Sequence, residues 1–133
     1  MTDRGPAIGA LKVLVIDDES DLADIAGALL TAYGIANCVA YSAQEGLRAL
    51  AHDPDINAVF SDIMMPEMTG LHLADAVKAR YPDVHVVLTS GFTSLSILAA
   101  HHSIYAFIPK PYNIEAVIEL LRKPKRVEPE STR

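Results

Sequence analysis

Apolar residues follow two alternating rhythms along this chain. Short unbroken runs stand at 12–16 (KVLVI), 35–41 (IANCVAY), 56–61 (INAVFS), 84–89 (VHVVLT) and 104–108 (IYAFI). Runs of this length, bounded by turn residues, are the mark of strands buried on both faces. Between and after them the spacing becomes helical, over 20–33, 42–52, 70–81, 93–102 and 113–123. In the first helix Leu22, Ile25, Ala26, Leu29 and Leu30 recur three and four apart, as one helical face requires. Gly34 is its C-terminal breaker. Ser42 with Glu45 makes a capping box for the second helix. Pro82 closes the third, Asn113 is placed to cap the last, and Pro124 ends it.

Strict alternation of strand and helix predicts an α/β fold. The expectation is a five-stranded parallel sheet covered on both faces, with right-handed crossovers. The usual order for such a sheet is 2-1-3-4-5, the flavodoxin-like, doubly wound, three-layer sandwich. A chain of 133 residues suits one domain. The expected division is a flexible N-terminal segment at 1–10, a domain over 11–123 and a disordered polar tail at 124–133.

Composition narrows the function classes. A net charge of -6 argues against general nucleic-acid binding. The basic run RKPKR at 122–126 reads as a solvated tail that complements the end of the last helix. No apolar run approaches the roughly 20 residues of a membrane span. The start, MTDRGPAIGA, lacks the build of a secretion signal, and the single Cys38 cannot form an internal disulfide. These features together predict a cytoplasmic protein with no membrane partner.

Chemistry enters at the strand ends. In an open parallel sheet, ligands bind beyond the carboxyl ends of the strands where strand order reverses, here between strands one and three. Asp17 and Asp18 end the first run and Asp62 ends the third. Three carboxylates in one crevice repel each other, and a hard divalent cation such as Mg2+ removes the conflict. Thr89 and Ser90 end the fourth strand, and Lys110 ends the fifth. Acids, a hydroxyl and a lysine on one rim suit a phosphoryl group. Asp62 would be the nucleophile that forms an acyl phosphate, while the metal and Lys110 neutralise its oxygens and Thr89 donates to them. Each residue alone has a plainer role, as a helix cap, a loop acid or an exposed charge. Their joint position on four strand ends favours the functional reading.

The stretches VLVIDDES, SDIMMPEMTG, VVLTSG and FIPKPY together make the chain resemble the receiver domain of two-component response regulators, from about Lys12 to Lys123. The resemblance implies that Asp62 takes phosphoryl from a sensor histidine kinase or a histidine phosphotransfer protein. It implies Mg2+, with Mn2+ as a substitute, on Asp18, Asp62 and the backbone carbonyl of Met64, with Asp17 acting through water. It also implies a cis bond before Pro111, and a switch in which Thr89 moves toward the phosphate and Phe107 turns inward. The face formed by the fourth helix, fifth strand and fifth helix would then change affinity for a downstream protein, and the same face could pair two copies. Such a domain catalyses its own phosphorylation and slow autodephosphorylation rather than turning over a substrate. Met64 and Gly91 stand where side chains steer water in this family, and neither can hold one, so slow loss of phosphate is expected. Ser103 departs from the glycine that often ends the fourth helix, and His101 with His102 reads as favourable charge at a helix end.

Three other readings stand beside this one. A Mg2+-dependent aspartyl-nucleophile phosphohydrolase of the haloacid-dehalogenase type wants an acid where Met64 stands. A scaffold that lost phosphorylation would not need the full set of residues. A phosphorelay intermediate, or a receiver cut from a hybrid kinase, would share the chemistry and differ in output.

Overall fold

The computed structural model describes residues 10–91 and 105–122. Five strands, β1 (Lys12–Ile16), β2 (Ala36–Ala40), β3 (Ala58–Asp62), β4 (His85–Ser90) and β5 (Ala106–Pro109), form one sheet in the order β2-β1-β3-β4-β5. Every neighbouring pair is parallel. The described helices are α1 (Ser20–Ala32), α2 (Ala43–His52), α3 (Gly70–Arg80) and α4 (Ile114–Arg122). The helix expected over 93–102, with His101, His102 and Ser103, lies outside the described residues. So do positions 1–9 and 123–133.

Alternation along the strands splits the core into two layers. Val13 and Val15 of β1 join Phe60, Val87 and the inner faces of α1 and α4. Leu14 and Ile16 point the other way, toward α2 and α3. A strand with both faces covered leaves no position for a polar side chain, which is why KVLVI has none between Lys12 and Asp17.

The first helix corrects the sequence expectation. Its buried residues are Ala23, Ala26, Gly27 and Leu30. Leu22, Ile25 and Leu29 are 39%, 56% and 38% exposed. The cause is close approach to the sheet: a Cβ on Gly27 would stand 2.9 Å from Val39 Cγ2. Small residues and Leu30 therefore face inward, and Leu22, Ile25 and Leu29 form a second stripe outside. The chain turns after α1 at Gly34, whose φ of 77° is the left-handed conformation glycine adopts freely.

The predicted caps form. Ser42 Oγ accepts from the Glu45 N–H at 3.1 Å, and Glu45 reaches back to the Tyr41 N–H at 2.9 Å. Asn113 Oδ1 accepts from the Ala116 N–H at 2.8 Å. Thr69, not singled out in the sequence, caps α3 through the His72 N–H at 3.2 Å.

The N-terminal rim of the sheet closes on itself. Asn57 Oδ1 accepts from the Lys12 N–H at 2.9 Å and its side-chain amide donates to the Ala10 carbonyl at 2.9 Å. The backbone of Asn57 bridges Lys12 and His85 at 3.1 Å each. Lys12 pairs with Asp53 at 2.6 Å.

Candidate functional site

At the opposite rim, strand ends bring distant residues together. Asp62 is the last residue of β3 and Asp17 directly follows β1, so the pairing of these strands sets both carboxylates at one edge. Asp17 and Asp62 are buried, and Asp18 is exposed. One carboxylate oxygen from each of the three lies within 4.8 Å of the others.

Local hydrogen bonds aim these groups. Asp62 Oδ1 accepts from the Met64 N–H at 3.0 Å, and its Oδ2 receives the Lys110 ammonium at 2.9 Å. Asp17 Oδ1 accepts from the Glu19 N–H at 2.9 Å, and its Oδ2 stands 3.4 Å from Lys110 Nζ. Asp17 thus shapes the turn into α1 and faces the lysine at once. The residue at the α1 N-cap is Glu19, which makes no side-chain cap bond.

The loop from β3 to α3 folds back tightly behind Asp62. The Ile63 carbonyl accepts from Gly70 at 2.9 Å and from Met65 at 3.1 Å. A Cβ on Gly70 would fall 2.3 Å from the Asp62 carbonyl oxygen, so this position has room only for glycine. Lys110 is delivered from the end of β5, where its N–H donates to the Ser90 carbonyl at 3.0 Å. The Lys110–Pro111 peptide bond is cis.

Electrostatics set the character of the rim. Burial pushes the Asp17 carboxyl above its ordinary value, partly offset by the Glu19 N–H and by Lys110. Burial pulls the Lys110 ammonium down, but the hydrogen bond and charge of Asp62, with those of Asp17, more than offset this and leave it raised. Three carboxylates against one ammonium leave two net negative charges in the cluster. An all-oxygen donor set with that charge fits a hard divalent cation such as Mg2+.

Thr89 supplies a further sign of a ligand. It is the register partner of Asp62 across β3 and β4, and it is 2% exposed. Its hydroxyl has no hydrogen-bond partner among the described residues. A buried hydroxyl left unpaired costs about 1–3 kcal/mol, so an anionic oxygen arriving at the rim would relieve it. Ser90 is buried beside it. Phe107, half-buried on β5, packs against the cluster of Ile63, Leu71, Ala74, Leu88 and Tyr105. Met64 is exposed, and its thioether offers no proton where a phosphohydrolase of the rival type would need a general acid.

Two further side-chain contacts were not legible in the sequence. Tyr112 packs edge-on against Phe60, with ring centroids 5.2 Å apart and planes at 80°. The Tyr105 hydroxyl donates to Asp75 on α3. Only a sequence pattern pairing a strand with a helix 30 positions away would have shown the second.

Comparisons with known proteins agree on one family. The model described as "Response regulator receiver domain" matches residues 13–122. A putative NtrX-like response regulator of Rickettsia bellii is 33% identical over 117 residues, covering 85% of this chain and 24% of that protein. The DNA-binding transcriptional regulator NtrC of Proteus hauseri is 30% identical over 116 residues, covering 84% of this chain and 24% of its own length. This chain therefore spans about a quarter of these relatives. The crystal structure of a response regulator receiver domain protein from Clostridium thermocellum superposes with a TM-score of 0.73 at 30% identity, over 80% of this chain and 87% of that one.

Proposed function

The chain belongs to the response regulator receiver family, and from that premise we propose that Asp62 is its phosphoacceptor. The observation that supports this most is the rim itself: Asp17, Asp18 and Asp62 within 4.8 Å, Lys110 at 2.9 Å from Asp62, and an unpaired Thr89 hydroxyl alongside.

Phosphoryl would arrive from a phosphohistidine on a sensor histidine kinase or a histidine phosphotransfer protein. A P–O bond forms to an Asp62 oxygen as the P–N bond to the donor imidazole breaks. The imidazole leaves neutral when its other nitrogen carries the proton. Burial and the Met64 N–H hold the Asp62 carboxylate in place for attack. Lys110 already bridges Asp62 and Asp17, and would transfer its ammonium to the phosphoryl oxygens as charge builds there. Asp17, Asp18, Asp62 and the Met64 carbonyl would hold Mg2+, which neutralises phosphoryl oxygens. Thr89 then gains the acceptor it lacks, and its movement, with Phe107, would alter the surface around β5 that a downstream protein reads. Met64 and Gly91 place no water-steering group beside the acyl phosphate, so its hydrolysis is slow.

Label supplied through a histidine kinase should pass to the wild-type chain and not to Asp62→Asn. It should persist for many minutes in the purified protein. Equal labelling of Asp62→Asn overturns the acceptor, and loss within seconds overturns the slow hydrolysis.

A further inference from the structure

We propose that the hydrogen bond from the Tyr105 hydroxyl to Asp75 is a latch that holds the site in its unphosphorylated arrangement. The proposal rests on the reading of Asp62 as phosphoacceptor and adds a regulator to it. Tyr105 immediately precedes β5 and is buried. Strand alternation puts its ring on the same face as Phe107, and Tyr105 belongs to the buried cluster of Ile63, Leu71, Ala74 and Leu88 against which Phe107 packs. Ile63 follows Asp62 in the chain, and Leu88 precedes Thr89. The cluster therefore touches the neighbours of both groups that must meet the phosphoryl.

The other end of the bond is equally placed. Asp75 lies on α3, whose first residue, Gly70, sits against the Asp62 carbonyl. The contact thus ties the entry of β5 to the helix anchored at the acceptor. Donation to a carboxylate makes it stronger than a neutral hydrogen bond. Burial and Asp75 both push the Tyr105 hydroxyl well above its ordinary value, so it stays a donor at physiological pH.

The Thr89 hydroxyl is unpaired while this bond is made. In the proposed switch Thr89 moves toward the phosphoryl group, and Leu88, its neighbour in the chain and a member of the same buried cluster as Tyr105, links that movement to the Tyr105 ring. A bond made in one state and weakened in the other biases the equilibrium toward the first. Its removal should ease phosphorylation.

Tyr105→Phe deletes only the hydroxyl, and beryllofluoride with Mg2+ serves as a stable phosphoryl mimic. The latch predicts roughly five- to tenfold tighter beryllofluoride binding by Tyr105→Phe, with a lower melting temperature in its absence. Asp75→Asn, which keeps an acceptor oxygen but loses the charge, should shift the same way by less. It also serves if Tyr105→Phe folds poorly. Wild-type binding with unchanged or weaker affinity in both variants overturns the latch and leaves a static staple. A wild type that binds no beryllofluoride overturns the acceptor reading, and the latch with it.

Discussion

The two rims of the sheet both carry polar groups and use them in opposite ways. At the N-terminal rim, Asn57 spends its side chain on the Lys12 N–H and the Ala10 carbonyl, and Lys12 pairs with Asp53. At the C-terminal rim, three carboxylates cluster and two of them, Asp17 and Asp62, share Lys110, while the buried Thr89 hydroxyl has no partner among the described residues. One rim is closed by its own hydrogen bonds, whereas the other keeps excess charge and an unmet donor. Polarity that satisfies itself serves the fold. Polarity that does not is held in place by the rest of the structure and is available to a ligand.

The sharpest way to break the contrast is Gly70→Ala. Its methyl would collide with the Asp62 backbone, which no rotamer can relieve. A loss of about 3 kcal/mol in urea unfolding is expected, together with loss of phosphoryl labelling. Asn57→Ala strikes the other rim. It should cost about 1–2 kcal/mol and leave labelling at wild-type rate, because nothing at the acceptor depends on it. Thr89→Val should act in reverse, raising stability by about 1 kcal/mol while weakening beryllofluoride binding about tenfold. A Thr89→Val protein that is less stable and binds normally would remove the evidence for an unmet donor.

The smallest effect belongs to His85. Burial holds its imidazole below the ordinary value. The unfolded chain takes up the proton first as pH falls below about 6.5, so stability declines from there down through the lowered folded value. His85→Gln should flatten that decline in melting temperature against pH while leaving labelling unaffected.

Much of the carboxylate rim was legible because topology does the gathering. Once strands and helices alternate, the ends of strands one and three must neighbour each other, and the acids of VLVIDDES and SDIMMPEMTG follow. The capping residues Ser42 and Asn113 were equally readable, since a cap acts within four residues. Periodicity found α1 and its buried Ala26 and Leu30, but misplaced Leu22, Ile25 and Leu29, because it reports which residues are apolar, not which side meets the sheet. Leu22, Ile25 and Leu29 fit a buried stripe, but Gly27 and its small neighbours allow the closer approach. Asn57 looked like one polar residue in a strand, and its four backbone and side-chain bonds exist only once the β1 end and β4 lie beside it. The Tyr105–Asp75 contact joins the residue before β5 to a helix and has no local signature.

The central claim is that the unbalanced rim accepts a phosphoryl group on Asp62. Its most direct test is peptide mapping after treatment of the wild-type chain with acetyl phosphate and Mg2+. A single hydroxylamine-labile phosphoryl group is expected on the peptide holding Asp62, absent when EDTA removes the metal. Modification of another residue, or labelling indifferent to EDTA, would contradict it.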